Sequence, residues 1–527
     1  MHFYNEVLFP IKWIFIFLGA IFLFLSLFYK HSGRTRLSVF FLFLAAFFIF
    51  MFAAVIDPFL HLWDERFHAL VAKNLLMHPL KPTLYENTVV TIKSSMWDRS
   101  GIWLHKQPLF LWQICFSYKL FGISEYAVRF PGVLLSSFLV IIFYRSGKIL
   151  VNEKVGYYAA FLLASCNYLF ELVSGYKGND QNDVVFLFYV SASIWAWLEF
   201  ISSGKKIWLL LIGVFSGFAI LTKWLVGLLI FWGWFLYIIL DKNLRKQKSQ
   251  YFYLLLSLII SCIVVAPWQI YILRNYPAEA AEEYRLSADH FVRVVEGHQG
   301  PWWYYLSNLQ YYYGFLSMIF IPLGLIFFIL KSKSKNNLKI SFISLPVVVY
   351  LFYSISKTKM ISYPFVVTMP LLIWMGCLID FVLWKADKIK IGSFYKKLLS
   401  FIFLLIIFIF NFQPLAIDKK HRAPEENDPC MNTIIKNKDI FIKWNKTLPD
   451  NSAIFNLRGR SYIDCMFYTH FTAYNFIPDY HQYLEIKSNS QKCTIVVVNA
   501  SRQYCPDYLK SDPSVIYLKD KTTGCFE

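Results

Sequence analysis

Stretches of about twenty strongly apolar, almost uncharged residues recur along this chain, separated by short basic corners: KHSGRTR, RSGKILVNEK, GKK, DKNLRKQKSQ, KSKSKNNLK and KADKIKIGSFYKK. Few soluble folds could bury so many full-length apolar runs, whereas a bilayer core of about 30 Å is crossed by a helix of roughly 20 such residues. On that measure spans are expected over residues 11–29, 37–56, 127–145, 155–173, 184–202, 207–222, 224–240, 251–270, 311–330, 340–356, 360–380 and 398–413. The expected fold class is therefore an all-α polytopic membrane protein of about twelve helices, the pair around Thr222 being short. With 57% hydrophobic and only 16% charged residues, a soluble enzyme of 527 residues is excluded.

The formal charge of +19 would suit a nucleic-acid binder, but its Lys and Arg sit in the corners and read as topology signals, so no nucleic-acid partner is expected. The basic corners alternate as they should if all are cytoplasmic. The amino-terminal MHFYNEVLFPIK carries little positive charge and no small-residue cleavage site, so it is expected to be a retained helix. Both termini and the loops at 57–126 and 271–302 then lie outside the cytoplasmic membrane. Within the first loop, residues 64–77 and 106–121 alternate apolar and polar faces at helical spacing, as interfacial helices do.

The apolar composition ends at Pro414. The chain thus divides into a membrane domain, 1–413, and an extracytoplasmic domain, 414–527. An amphipathic piece at 431–448 and the β-rich runs AIFNL, CTIVVVNA and SVIYLKD predict a small α/β domain. Five of the nine cysteines, Cys430, Cys465, Cys493, Cys505 and Cys525, fall there, which in an oxidising compartment permits two disulfides and one free thiol. Cys115, Cys166, Cys262 and Cys377 are expected to pack as small hydrophobes.

WDERFHALVAKNLL, beginning at Trp63, is followed by LHKQPLFLWQICFSYKLFGISEYAVRFPGVLLS, and then by NDVVFLF, AILTKWLVGLL, APWQIY, ADHFVRVVEGHQGPWWYYL and SISKTKMISYPFVVTMP. In content and order these resemble the polyprenyl-phosphate-sugar glycosyltransferases of the C superfamily (GT-C), especially the aminoarabinose transferases that modify lipid A and the protein mannosyltransferase-like group. The resemblance covers roughly residues 57–380. It implies transfer of a sugar, with inversion, from a polyprenyl-phosphate carrier to an extracytoplasmic acceptor, either lipid A or another glycolipid, or protein. Membrane lipids are the other implied partner.

Such a transferase needs a carboxylate to take the acceptor's proton and cations to stabilise the phosphate that leaves. It handles no nucleotide, in keeping with the lack of a Gly-rich phosphate loop. Asp64, at the head of an interfacial helix, is the expected base. Glu65 points about 100° away on a helix, so the two should not act as one pair. Asp64 could equally just cap and solvate a surface helix. Asp183 is expected to orient the base or the acceptor, although Asp also favours a plain helix N-cap and Asp180 competes for the place.

For the phosphate the resemblance implies Lys106, Arg293, Lys359 and Tyr363, a set that combines point charges, a forked donor and a hydroxyl. Lys359 lies on the side where the positive-inside rule disfavours lysine, so its charge suggests a role beyond headgroup snorkelling. His105, Asp289, His290 and His298 are metal-ligand candidates. His105 and Gln107, however, stand where the family has glutamate and proline, so no metal is assigned to them and a divalent ion stays open as a cofactor. A secondary transporter would carry ionisable groups inside its spans, and a polysaccharide ligase or polymerase a large late loop. Here the charged motifs gather in the first external loop.

Overall fold

The computed structural model describes residues 11–92, 96–422, 430–488, 493–519 and 522. Among them, nine helices are long and apolar enough to cross a membrane: Trp13–His31, Thr35–Val55, Glu125–Leu150, Asn182–Ser203, Ile207–Ile239, Lys248–Asn275, Asn336–Ile355, Tyr363–Ala386 and Ser393–His421. Two of the expected spans look different in the fold. The run at 155–173 is two helices, Glu153–Ala164 and Asn167–Ser174, and the run at 311–330 is a short turn followed by Ser317–Lys331. The expected pair 207–222 and 224–240 is the segment Ile207–Ile239, divided by a 3-10 stretch, Trp224–Leu228. There the chain doubles back: Ser216 Oγ donates to the Gly227 carbonyl at 2.7 Å, and a Cβ at Gly227 would lie 2.8 Å from the amide nitrogen of Ile220. Apolar periodicity registers greasy length; it is blind to where a helix stops and restarts within it.

Tight crossings set the bundle. A Cβ at Gly147 would lie 2.6 Å from the Cα of Gly156, so the helix Glu125–Leu150 meets its successor backbone to backbone, as small residues allow in membrane helix pairs. Ser124 caps the longer helix by accepting from the Ala127 amide, and Asn152 caps the next by accepting from Val155 at 2.9 Å. The basic corners share one end of the bundle. Ser332 and Ser334 donate to the Leu150 carbonyl, Thr35 lies against Glu153, Asn337 donates to Tyr237, and Asn152 reaches Asp380.

At the opposite end stand the helices Asp64–Asn74 and Pro108–Phe121 of the first loop and, after it, Pro277–Val292. Over them sits a four-stranded parallel sheet: β1 (Ser452–Phe455), β2 (Thr472–Ala473), β3 (Thr494–Val498) and β4 (Ile516–Leu518), in spatial order 2-1-3-4. The sheet is docked by ion pairs and hydrogen bonds. Arg66 pairs with Asp464 at 3.3 Å, Lys438 with Glu125 at 2.7 Å, and Lys73 donates to the carbonyls of Met466, Phe467 and Thr469. Burial lowers the Lys73 pKa to about 8. The disulfide expectation is corrected: Cys465, Cys493 and Cys505 are free thiols, Cys465 in the core and Cys493 on the sheet, while Cys525 and the Cys430 side chain lie outside the described residues. A hydrophobic core that closes over the sheet leaves no need for the staple.

The most completely buried ion pair joins Glu65 to Arg129. The guanidinium donates to both carboxylate oxygens, at 2.7 and 3.1 Å, and to the carbonyls of Ala54, Asp57 and Phe59. Removing one partner strands the other charge, so Arg129→Met should destabilise the protein by about 3 to 5 kcal/mol. Thermal unfolding of the detergent-purified protein checks this; a melting temperature equal to wild type would refute it.

Candidate functional site

The first loop turns sharply into its helix at Trp63, whose φ of 61° is uncommon for a bulky side chain. Gly178 makes room for it, since a Cβ there would lie 2.9 Å from the Trp63 ring. The helix begins at the next residue, so Asp64 and Glu65 leave the backbone on different faces. Glu65, 1% exposed, goes inward to Arg129 and also accepts from the His61 amide at 2.6 Å and from Gln181 at 2.8 Å. Asp64 goes the other way, into a cleft of charge.

Lys106 Nζ is 2.9 Å from Asp64 Oδ1 and 2.9 Å from Asp180 Oδ2. Lys223, the last residue of the helix Ile207–Lys223, pairs closely with Asp183 and lies 3.7 Å from Asp180. Asp180 Oδ1 accepts from the Asn182 amide at 2.9 Å, which opens the helix Asn182–Ser203 and leaves Asp183 in its first turn. Tyr363 closes one side, its ring 5.5 Å from the Lys223 ammonium and stacked on Tyr353 at 4.5 Å. Two ammonium groups thus stand among three carboxylates at the end of the bundle remote from the basic corners.

Burial disfavours charge here, yet for Lys106 and Asp180 the pairs outweigh it. For Lys106 burial pulls the pKa down, but the carboxylates of Asp180 and Asp64 hold it well above the ordinary lysine value. For Asp180 burial pushes up, and Lys106, Lys223 and His68 hold it well below the usual carboxylate range. His68 is different. Burial lowers it to about 4 against the pull of Asp180 and Asp64, so it is neutral at physiological pH, and neither of its ring nitrogens has a hydrogen-bond partner.

Asp64, Lys106, Asp183 and Tyr363 are brought together; the other two expected residues are not. Lys359 is 4% exposed and donates to the carbonyls of Tyr353, Ser354 and Ser356, capping the helix Asn336–Ile355. Burial and Lys357 lower its pKa. Its charge is answered by orphan helix carbonyls. Arg293 is exposed and paired with Asp289. Its loop docks on the Lys359 loop, with Thr358 N donating to the His290 carbonyl and Lys359 N to that of His298. His290 is nearer the cluster: burial, with His105, Lys106 and Lys223, lowers it to about 4.

Sequence reasoning missed Lys223, Asp180 as a full member, and His68. A signal for Lys223 was present, since a lysine within the apolar run AILTKWLVGLL, away from the basic corners, is as unusual as Lys359. Nothing in the sequence marks His68 apart from any other helical histidine.

Among the described residues, two groups of side chains could hold a metal ion: Asp64 with His68 and Asp180, and Asp57 with His61 and His421. Neither is the set expected from the loops. There His105 Nδ1 is 3.2 Å from Glu283 and its ring stacks on Trp97, while Asp289 is taken by Arg293. In the second group both imidazoles converge on Asp57 Oδ2, at 2.9 and 2.6 Å. Burial pushes Asp57 up, but the two histidines outweigh it and keep its pKa well below the usual range.

Residues 105–271, about a third of the chain, match the family described as dolichyl-phosphate-mannose-protein mannosyltransferase. An uncharacterized protein of Aquifex aeolicus is 25% identical over 368 residues, 68% of this chain and 66% of that one. An undecaprenyl phosphate-alpha-4-amino-4-deoxy-L-arabinose arabinosyl transferase of Pseudomonas paraeruginosa is 25% identical over 298 residues, 53% of this chain and 50% of that one. The chain thus spans about half the length of that transferase. In fold it is similar to ArnT from Cupriavidus metallidurans bound to undecaprenyl phosphate, with a TM-score of 0.61 at 13% identity over 86% of this chain and 88% of that one. The archaeal oligosaccharyltransferase AglB from Archaeoglobus fulgidus follows at 0.51 and 13%, covering 84% and 64%. The chain is thus similar in sequence, over part of its length, to these membrane transferases, and similar in fold to ArnT, with an all-α, largely membrane-spanning fold and a small C-terminal β-sheet domain.

Proposed function

We propose that this protein is an integral membrane glycosyltransferase that moves one sugar from a polyprenyl-phosphate carrier to an extracytoplasmic acceptor, with inversion at the anomeric carbon. The observation that carries the reading is the pairing of Asp64 with Lys106 inside a cluster of two lysines and three carboxylates, at the bundle end opposite the basic corners. The similarity to aminoarabinose transferases supports the donor class. Lipid A, another glycolipid and a protein hydroxyl all fit the acceptor role. Twelve crossings, counting the doubled-back and interrupted segments separately, would put both termini and the site outside the cytoplasmic membrane.

In this reading Asp64 takes the acceptor hydroxyl's proton as its oxygen attacks the anomeric carbon from the face opposite the phosphate. One direct displacement inverts that carbon. Lys106 and Lys223 meet the charge growing on the leaving phosphate, and Tyr363 offers a hydroxyl beside them. Asp183 positions Lys223, and Asp180 holds both lysines. Three carboxylates against two ammoniums leave the cluster one charge negative before an anionic donor arrives. A divalent cation held by Asp64, Asp180 and His68 would reverse that sign, and the unpartnered nitrogens of buried His68 suit such a ligand.

Asp64→Asn keeps the shape and loses the proton acceptor, so transfer should fall by at least a hundredfold with the melting temperature unchanged. Wild-type turnover in a donor-transfer assay would remove Asp64 from the mechanism. Lys106→Gln and Lys223→Gln should each weaken binding of sugar-free polyprenyl phosphate by about 1.5 to 3 kcal/mol, the worth of a charged hydrogen bond. Lys359→Met should leave that affinity alone and lower stability instead; a titration showing the reverse would return Lys359 to the phosphate site. Reporter fusions after Lys248 and Lys335 should report cytoplasm and a fusion at Glu527 the outside. A cytoplasmic tail would invert the proposed orientation.

A further inference from the structure

Three of the six basic corners do more than mark one end of the bundle. Residues from KHSGRTR, RSGKILVNEK and KADKIKIGSFYKK, far apart in the chain, line a single cavity of about 220 Å³. Lys30 and His31 come to it from the end of the helix Trp13–His31, Lys154 from the start of Glu153–Ala164, and Lys396 and Lys397 from the start of Ser393–Asn411. Asp380 and Asp387 also line it, so four lysines face two aspartates and the cavity is cationic.

Little in the cavity answers those charges. The Lys396 ammonium donates to the Asp387 carbonyl, and that of Lys30 lies 5.1 and 5.0 Å from the ring centres of Tyr157 and Tyr158. Among the described residues none of the four lysines pairs with a carboxylate, and Glu153, beside Lys154, is taken by Lys148 instead. His31 Nε2 is buried with no hydrogen-bond partner, which costs free energy until something supplies one. The remaining walls include Leu383, Trp384 and Leu404. Trp384 has the Lys388 ammonium 3.8 Å from its ring centre, and tryptophan and lysine together mark the headgroup level of a membrane. The spans that bring Lys30 and Lys397 are only 28% and 22% buried in the bundle, so the cavity lies between helices whose surfaces mostly meet lipid.

We infer that this cavity binds the phosphate of an anionic membrane phospholipid, with the glycerol and the tops of the chains against Leu383, Trp384 and Leu404. A phosphate offers acceptors to several ammonium groups at once and a partner to His31, and basic pockets between spanning helices suit such headgroups. A zwitterionic headgroup brings its own cation and loses the match. The bound lipid ties the helix Ser393–Asn411, in which only Leu404, Ile407 and Phe408 are buried, to the spans beside it. This site is independent of the transferase reading, since it lies at the end of the bundle remote from the charged cleft.

The test is native mass spectrometry of the full-length protein in detergent, titrated with phosphatidylglycerol, phosphatidylcholine or inorganic phosphate, with thermal unfolding measured alongside. Phosphatidylglycerol should bind and raise the melting temperature, and the other two should do neither at the same concentrations. Lys154 and Lys397 are exposed and make no ion pair, so Lys154→Gln with Lys397→Gln removes charge without stranding a partner. That double variant should bind phosphatidylglycerol about tenfold or more weakly, melt like wild type without lipid and lose the lipid-induced rise. If it does not fold, Lys397→Gln alone carries the test, with about a fivefold loss. Lys242→Gln with Lys246→Gln, in the corner DKNLRKQKSQ outside the cavity, should change nothing. Equal weakening in both double variants would mark a general attraction of basic corners for anionic lipid and overturn the site. So would unchanged affinity in the cavity variants, or phosphatidylcholine binding as well as phosphatidylglycerol. Stabilisation by inorganic phosphate as strong as by phosphatidylglycerol would overturn the lipid and leave a site for the free ion.

Discussion

The buried contact between Glu65 and Arg129 is the interaction on which the rest of the charged end of the bundle depends. One carboxylate accepts from Arg129, Gln181 and the His61 amide, and one guanidinium also grips carbonyls at the end of the second span. That joins the loop before Asp64, the helix Glu125–Leu150 and the loop before Asp183 in a single network. Taking both charges out of water is costly and is tolerated only because nearly every donor and acceptor is satisfied. What it secures is direction: with Glu65 fixed inward, Asp64 must leave the helix toward Lys106.

The cleft that results is made of helix ends. Asp64 heads one helix, Lys106 precedes another, Asp183 lies in the first turn of a third and Lys223 closes a fourth. Each is an economical way for an apolar span to carry charge, at its tip rather than within the bilayer. Bringing four tips together yields a field that no single loop could hold. The C-terminal domain belongs to the same structure, since its ion pairs run to the helix that begins with Asp64 and its Arg460 stands beside the tryptophan before it.

Where sequence and structure part company, the reasons are specific. The positive-inside rule singles out Lys359 as unusual. The rule that flagged it does not say whether a ligand or a set of helix carbonyls answers the charge, and the fold gives it the carbonyls. Lys223, within the apolar run AILTKWLVGLL, is as unusual, and the fold gives its charge to Asp183. The cysteines suggested a stapled domain, but the parallel strands bury enough apolar surface that Cys465 is simply part of the core.

The chain by itself determined what needs only neighbours along it: the membrane class, the single bundle end that collects its basic corners, the β-rich tail, and the opposite fates of Asp64 and Glu65, which follow from the 100° step of a helix. The tertiary structure alone decided which lysine meets which carboxylate, that Asp180 rather than a lone Asp183 links the two lysines, and that a domain more than 300 residues away lays an arginine over Trp63. Those pairings join residues 40 to about 400 positions apart, and no periodicity or local propensity carries that information. They are set by which helix tips the packing of glycine-lined crossings brings within hydrogen-bond reach.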